Sequence, residues 1–276
     1  MNFPLPDIHI KIITEKKEVI SPLYTDGFYR INQREFSMDV EKVGCFYAAE
    51  GNTVEVMPYP GVDNATLELY LNGSTYGAIL HQRGILTMHG SCFSYEDQGV
   101  MLCGESGAGK SSLTTSFVLE GNTFLTDDVT PLLFSNKVPL IWAMSDRVKL
   151  WGDSLAQLKQ ENELLQRIEP KTDKYYFPLQ PSKQETYPLH QIFILEPTDT
   201  EEVIFEEING SAKVTALRKQ IYRPEYLQGM PDNEALFFKQ LIELSKNTTL
   251  TRIKRSIDHP IKTTQSKLKK YLTKSQ

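Results

Sequence analysis

Val100-Met101-Leu102-Cys103, followed at once by Gly104-Glu105-Ser106-Gly107-Ala108-Gly109-Lys110-Ser111-Ser112, is the stretch on which the reading of this chain turns. The apolar run reads as a fully buried strand. The residues after it follow the pattern of a glycine, four residues, then Gly-Lys-Ser. From Lys110 to Glu120 the spacing predicts a helix, with Gly121 as its stop. A strand that enters a glycine-rich turn and leaves it as a helix lets several backbone N–H groups converge on one anion.

The spelling of the turn follows from that geometry. Gly104, Gly107 and Gly109 remove Cβ atoms where the backbone must bend sharply or approach the anion. The helix beginning near Lys110 adds the partial positive charge of its N-terminus. Lys110 is the residue type that reaches the β- and γ-phosphates of a nucleoside triphosphate, and the Ser111 hydroxyl is suited to ligate Mg²⁺. The whole segment, Gly104, Glu105, Ser106, Gly107, Ala108, Gly109, Lys110, Ser111 and Ser112, is therefore the expected nucleotide-binding loop.

Working outward, Thr123 to Thr126 reads as the next strand, ending at Asp127-Asp128. That strand is expected beside the loop strand, with at least one of the two carboxylates near the γ-phosphate. One acid then holds Mg²⁺ and the other accepts a proton from an attacking hydroxyl. On the other side of the loop, His89 belongs to a strand expected over Ile85 to Ser94, which pairs antiparallel with the loop strand across the turn Glu96-Asp97-Gln98-Gly99. Asn136-Lys137-Val138-Pro139 lacks the aspartate of a guanine-specificity motif, which argues against a GTP-driven switch.

The rest of the chain is α/β. Short β-leaning runs at Ile8–Ile13, Phe28–Ile31, Val43–Ala48, Thr53–Pro58 and Thr66–Leu71 are separated by turn formers and predict a small β-rich unit over residues 1–75. Residues 76–276 then form the catalytic domain, which opens on a helix over Ser74–Arg83 that stops at Gly84. Further strands are expected at Val129–Phe134, Val138–Met144, Ile192–Leu195, Val203–Ile208 and Leu250–Ile253. Helices are expected at Ala212–Ile221 and Asn233–Ser245. A helical stripe of Leu155, Leu158, Leu164, Leu165 and Ile168 is capped by Asp153 or Ser154 and stopped by Pro170.

The net charge of −5 conceals an asymmetry: from Lys246 onward nine Lys or Arg face the single acid Asp258, which leaves −13 on the remainder. So acidic a body argues against nucleic-acid binding. The basic end reads as a solvated amphipathic helix packed through Ile261, Leu268 and Leu272. No run approaches the roughly eighteen apolar residues of a membrane span. The N-terminus lacks a secretory pattern, and Cys45, Cys92 and Cys103 are too few and scattered for a disulfide framework. The expectation is a cytoplasmic protein without a membrane partner, with room for a homo-oligomer.

Met88-His89-Gly90-Ser91, Gly104 to Ser112 and Thr126-Asp127-Asp128 together resemble the catalytic core of the bacterial HPr kinase/phosphorylases. The histidine stands 21 positions before the loop lysine and the aspartates 17 and 18 after it, spacings that look the same in that family. The resemblance implies a P-loop kinase core of the type shared with phosphoenolpyruvate carboxykinases, using ATP and Mg²⁺ to phosphorylate a protein serine. It implies Lys110 and the loop amides as phosphate ligands, Ser111 and Asp127 as metal ligands, Asp128 as proton acceptor and His89 as support for the carboxylate. Tyr70–Ser74, Gly77–Gly84 and Val148-Lys149-Leu150-Trp151 with Asp153 resemble a stand-alone subgroup, which includes kinases of lasso-peptide precursors that act on a C-terminal serine. The Glu-x-Arg-Gly segment of HPr kinases is absent after the aspartate pair, and Asp146 or Asp153 are the alternatives for its metal-binding glutamate.

Three functions follow from these expectations. The first is an ATP-dependent kinase of a serine in a peptide or protein partner. The second keeps ATP but acts on a small metabolite, or runs a carboxykinase-like phosphotransfer. The third is a nucleotide-gated binding module without an acceptor. Lys149, Lys174 and Arg223 are additional cations placed to meet phosphate or the acceptor.

Overall fold

The computed structural model describes residues 3–169, 171–199 and 201–274. Two compact units make up the chain: Met1–Thr87 with Ile221–Leu241, and Met88–Gln220 with Ile242–Gln276. The boundary expected after residue 75 stands beside a division in which the first unit runs on to Thr87 and takes in a returning segment.

The first unit carries β1 (Ile10–Ile12), β2 (Tyr24–Thr25), β3 (Tyr29–Ile31), β4 (Glu35–Val40), β5 (Gly44–Ala49) and β6 (Thr53–Pro58) in one six-stranded sheet, ordered β1-β6-β5-β4-β3-β2. The meander from β2 to β6 is antiparallel, and β1 joins the edge parallel to β6. The sheet is followed by α1 (Asn64–Tyr70), a π-helical turn (Leu71–Thr75) and α2 (Tyr76–Gln82). Thr66–Leu71, expected as a strand, is thus mostly helix. Its alternating apolar residues mimic a strand, but Asp63 caps the turn by accepting from Thr66 N at 2.9 Å and Thr66 Oγ1 at 2.8 Å. In the returning segment the buried Tyr226 ring meets Tyr29 edge-on, centroids 5.2 Å apart.

The second unit is built on β7 (Thr87–Tyr95), β8 (Gln98–Gly104), α3 (Lys110–Val118), β9 (Thr123–Ser135), β10 (Val138–Trp142), β11 (Arg147–Trp151), α4 (Gly152–Gln157), β12 (Lys174–Pro178), β13 (Thr186–Pro197), β14 (Ile204–Glu207), α5 (Gly210–Arg218), α6 (Pro231–Asn247, which begins in the first unit), β15 (Thr249–Arg255) and α7 (Ile261–Lys274). Seven strands form one mixed sheet in the order β10-β9-β7-β8-β13-β15-β14. The long β13 also pairs with β10 through its first residues, so five of these strands close on one another. β8, β13 and β15 run parallel, which buries them on both faces and explains the continuous apolar run of the loop strand. A separate two-stranded ribbon joins β11 to β12.

Two clusters hold the second unit together. Phe93, Leu102, Phe117, Phe193, Leu195, Ile253, Leu268 and Leu272 fill one, so α3 and α7 pack on the sheet together. Phe93 and Phe117 stack at 4.4 Å between centroids. Each such buried side chain stabilises the fold by about 1.5–3 kcal/mol. Phe124, Val148, Leu150, Leu155 and Tyr175 fill the other, which seats the ribbon. Among the described residues no helix is long and apolar enough to cross a membrane.

Three expectations are corrected here. The strand carrying Asp127-Asp128 neighbours β7, not the loop strand β8, because the antiparallel hairpin of β7 and β8 places β7 between them. Thr123–Thr126 and Val129–Phe134 are one strand, β9, and the acid pair sits within it. The helix expected up to Ile168 ends after Gln157: Lys159 adopts φ 56, and Leu164 is 100 % exposed rather than part of an apolar stripe. Pro170, its expected stop, lies outside the described residues.

Candidate active site

His89, the loop from Gly104 to Ser112, the Asp127-Asp128 pair, Lys149 and Lys174 all belong to the second unit. The loop leaves β8 at Gly104, where φ is 133 and a Cβ would stand 2.6 Å from the Leu195 carbonyl of the neighbouring β13. It enters α3 at Gly109, where φ is 89 and a Cβ would stand 2.5 Å from a guanidinium nitrogen of Arg255. Both positions require glycine for backbone conformation, and Gly104 requires it also for space. Glu105, Ser106 and Gly107 form the exposed crown, and Ala108 is buried in the cluster under α3. The Lys110 ammonium curls back to donate to the Gly104 and Glu105 carbonyls at 2.8 and 3.0 Å. Its burial lowers its pKa from the usual lysine value.

Asp127 comes to the first turn of α3. Ser111 Oγ donates to its Oδ1 at 2.7 Å, and the backbone N–H of Lys149 donates to its Oδ2 at 3.2 Å. Burial, and then the Asp128 charge beside it, raise the Asp127 carboxyl above the ordinary range. Asp128 turns the other way. Its φ of 71 is a left-handed conformation rare inside a strand, and it swings consecutive carboxylates to different partners. Lys149 Nζ donates to Asp128 Oδ2 at 2.8 Å, and His89 Nδ1 stands 3.2 Å from both Asp128 Oδ1 and the Asp128 carbonyl. Burial opposes the Asp128 charge, yet the Lys149 ammonium and the His89 contact hold its carboxyl well below the usual carboxylate range. It is ionised at neutral pH.

The ribbon β11–β12 supplies Lys149. Val148, Leu150, Tyr175 and Phe177 face the apolar cluster, so Lys149, Trp151, Lys174 and Tyr176 line the opposite face. Lys174 pairs with Trp151 across the ribbon and holds its ammonium 5.3 Å from that ring's centroid. Burial, and then the nearby Lys149 ammonium, lower the Lys174 pKa.

Two residues that sequence reasoning missed complete the loop's setting. Arg255, the last residue of β15, is 7 % exposed and donates from one Nη to the Ala108 carbonyl at 2.9 Å and from the other to the Ser256 carbonyl at 3.0 Å. Its Nε has no hydrogen-bond partner among the described residues. In the sequence it is one more cation of the basic C-terminal stretch, and only the β8-β13-β15 order brings it under the loop. Gln220 accepts from the His89 N–H through its carbonyl at 2.7 Å and from the Gly104 N–H through its side chain at 3.1 Å, joining β7 to the start of the loop.

The remaining expected residues fall less centrally. The Ser112 hydroxyl points away from the loop opening to donate to Ser154 Oγ at 2.8 Å. Asp153 accepts from the Ser154 N–H at 2.6 Å, at the start of α4. Among the described residues no three His, Cys, Asp or Glu side chains are grouped to hold a metal ion, so neither Asp146 nor Asp153 joins the aspartate pair as a third acid. Arg223 belongs to the first unit.

No protein-family model matches the chain, and no curated protein matches it in sequence. Among solved structures the chain is similar to the Hpr(Ser) kinase/phosphatase from Coxiella burnetii, with a TM-score of 0.36 and 12% identity over 68% of this chain and 97% of that one.

Proposed function

We propose that this chain is an ATP- and Mg²⁺-dependent kinase of the HPr-kinase-like type that transfers the γ-phosphoryl group to a serine hydroxyl of a peptide or protein. The observation that carries the reading is the Ser111–Asp127 contact of 2.7 Å, which puts a half-buried carboxylate at the N-terminus of the loop helix while Asp128 is turned toward His89 and Lys149. A structural turn has no use for two adjacent carboxylates held so differently beside a glycine-rich loop.

The roles divide by environment. The amides of the loop and the Lys110 ammonium bind the β- and γ-phosphates, the ammonium leaving its two loop carbonyls for the more anionic partner. The Ser111 hydroxyl and the Asp127 carboxylate suit Mg²⁺, which takes one or two carboxylates beside phosphates and keeps its waters. When bound, the metal neutralises charge on the phosphate oxygens. Asp128, ionised and set between His89 and Lys149, takes the proton of the attacking serine hydroxyl. The serine oxygen–phosphorus bond forms as the bond from the γ-phosphorus to the β,γ-bridging oxygen breaks, and ADP leaves. His89 and Lys149 orient the base. The protein's contribution is position and charge.

The acceptor that the sequence resemblance points to is the C-terminal serine of a lasso-peptide precursor. The test is incubation of the protein with Mg²⁺, γ-labelled ATP and a panel of peptides with internal or C-terminal serine, followed by mass spectrometry. Labelled phosphoserine that is lost in Asp128→Asn supports the reading. Release of inorganic phosphate alone, equal in both proteins, would remove the kinase assignment.

A further inference from the structure

We propose that Lys174 is a second catalytic cation of this site, donating a hydrogen bond to a non-bridging oxygen of the phosphoryl group as it passes from nucleotide to acceptor. The proposal rests on the phosphate-loop reading and adds to it a residue outside the loop and the acid pair.

The ribbon dictates the placement. In an antiparallel ladder directly paired residues project to the same side, and side chains alternate along each strand. Since Val148 and Leu150 are buried in the apolar cluster, Lys149 and Trp151 share the other face, and Lys174 shares it by pairing with Trp151. Lys149 marks where that face leads, because its ammonium touches the Asp128 carboxylate at 2.8 Å. Lys174 pairs two residues further along the strand, about 7 Å away at the rise of an extended chain. The span of a lysine side chain covers that distance.

Charge gives the placement its meaning. Lys149 has Asp128 as its carboxylate, whereas the Lys174 ammonium lies over the Trp151 ring. Among the described residues it makes no ion pair. A half-buried lysine on a protein surface ordinarily turns its ammonium to water or to an acid. Here it is held by an aromatic face beside a second ammonium, an arrangement favourable toward an anion arriving between the two lysines and unfavourable toward a neutral one. Trp151, 46 % exposed, shields the group from solvent on one side. The charge that develops on the phosphoryl oxygens during transfer is an anion of that kind, and the loop lysine faces it from the nucleotide side. Lys174 transfers no proton. It stabilises the phosphoryl group in flight, so it contributes more to the transition state than to nucleotide binding.

The test needs no knowledge of the acceptor. Binding of Mg·ADP is measured by calorimetry with and without aluminium fluoride, which mimics the planar phosphoryl group, for the wild-type protein, Lys174→Met and Lys174→Arg. Thermal melting checks that both variants are folded. The expected result is unchanged Mg·ADP affinity in all three, with the fluoride-dependent gain reduced by about a hundredfold in Lys174→Met and largely restored in Lys174→Arg. A folded Lys174→Met that keeps the full gain overturns the role of Lys174 and leaves the loop reading intact. A wild-type protein that binds Mg·ADP without any gain overturns it too. A wild-type protein that does not bind Mg·ADP removes the phosphate-loop reading and the proposal with it.

Discussion

The ammonium of Lys149 stands 2.8 Å from Oδ2 of Asp128, while the backbone N–H of the same lysine donates to Asp127 at 3.2 Å. One residue of the ribbon therefore holds both acids apart, the first by its main chain and the second by its side chain. This division separates a half-buried carboxyl beside the Ser111 hydroxyl from an ionised one beside His89.

Asp128→Asn is expected to lower phosphoryl transfer by about a thousandfold, the middle of the range for losing a general base, with nucleotide affinity kept. Lys149→Met is expected to fall between this variant and the wild type, because Asp128 then loses its cation but keeps its His89 contact. Turnover with γ-labelled ATP checks the first variant, and the acid limb of its pH profile checks the second. That limb is expected to move upward in Lys149→Met, since the lost cation is what holds the Asp128 carboxyl low.

Ser111→Ala and Asp127→Asn are expected to act on metal dependence. Both raise the Mg²⁺ concentration needed for half-maximal activity, and their affinities for ATP measured in a chelator stay close to that of the wild type. Metal titrations of activity, beside calorimetry in EDTA, separate these effects. An unchanged Mg²⁺ requirement in both variants contradicts the assignment of Asp127.

Arg255 and Gly109 form a single device. Gly109→Ala drives a methyl group toward the guanidinium and imposes a left-handed conformation on alanine, and it is expected to cost about 1–3 kcal/mol of stability together with nucleotide binding. Arg255→Met frees the Ala108 carbonyl to turn toward the phosphates, and it is expected to weaken nucleotide binding about tenfold, the effect of losing one charge-assisted hydrogen bond. Denaturation curves measured alongside calorimetry distinguish the two outcomes.

The loop was legible because its chemistry is local: strand, glycines and helix follow one another within the range of backbone geometry. The hairpin that presents His89 was legible for the same reason, since Glu96 and Asp97 both take the left-handed conformations of a tight turn. The insertion of β7 between the loop strand and the acid-bearing strand was not, because sheet order is decided by long-range packing. Arg255 was hidden for that reason as well: it meets the loop only through β13 and β15. Thr66–Leu71 misled in the opposite sense, since a period of two in its apolar residues was overruled by the Asp63 cap. From sequence alone the acid pair reads as a strand end, whereas β9 runs through it, with Asp128 at a positive φ.

In the first unit, His81 is fully buried between Tyr226 and Phe237 and bonds the Tyr222 carbonyl through Nε2 at 2.9 Å. Burial pushes its pKa down to about 4. The unfolded chain takes up a proton near the ordinary histidine value while the folded chain stays neutral, so stability is lost as pH falls from about 6.5 toward 4, by on the order of 3 kcal/mol. His81→Phe, which keeps an aromatic ring in place, is expected to flatten that dependence. Urea denaturation at a series of pH values checks it.

The most direct measurement is calorimetric titration of the intact protein with Mg·ATP, set beside Lys110→Ala. The account predicts one site per chain in the wild type and a large loss of affinity in the variant, whose fold is unchanged by circular dichroism. Equal binding by both proteins, or heat from neither, would contradict it.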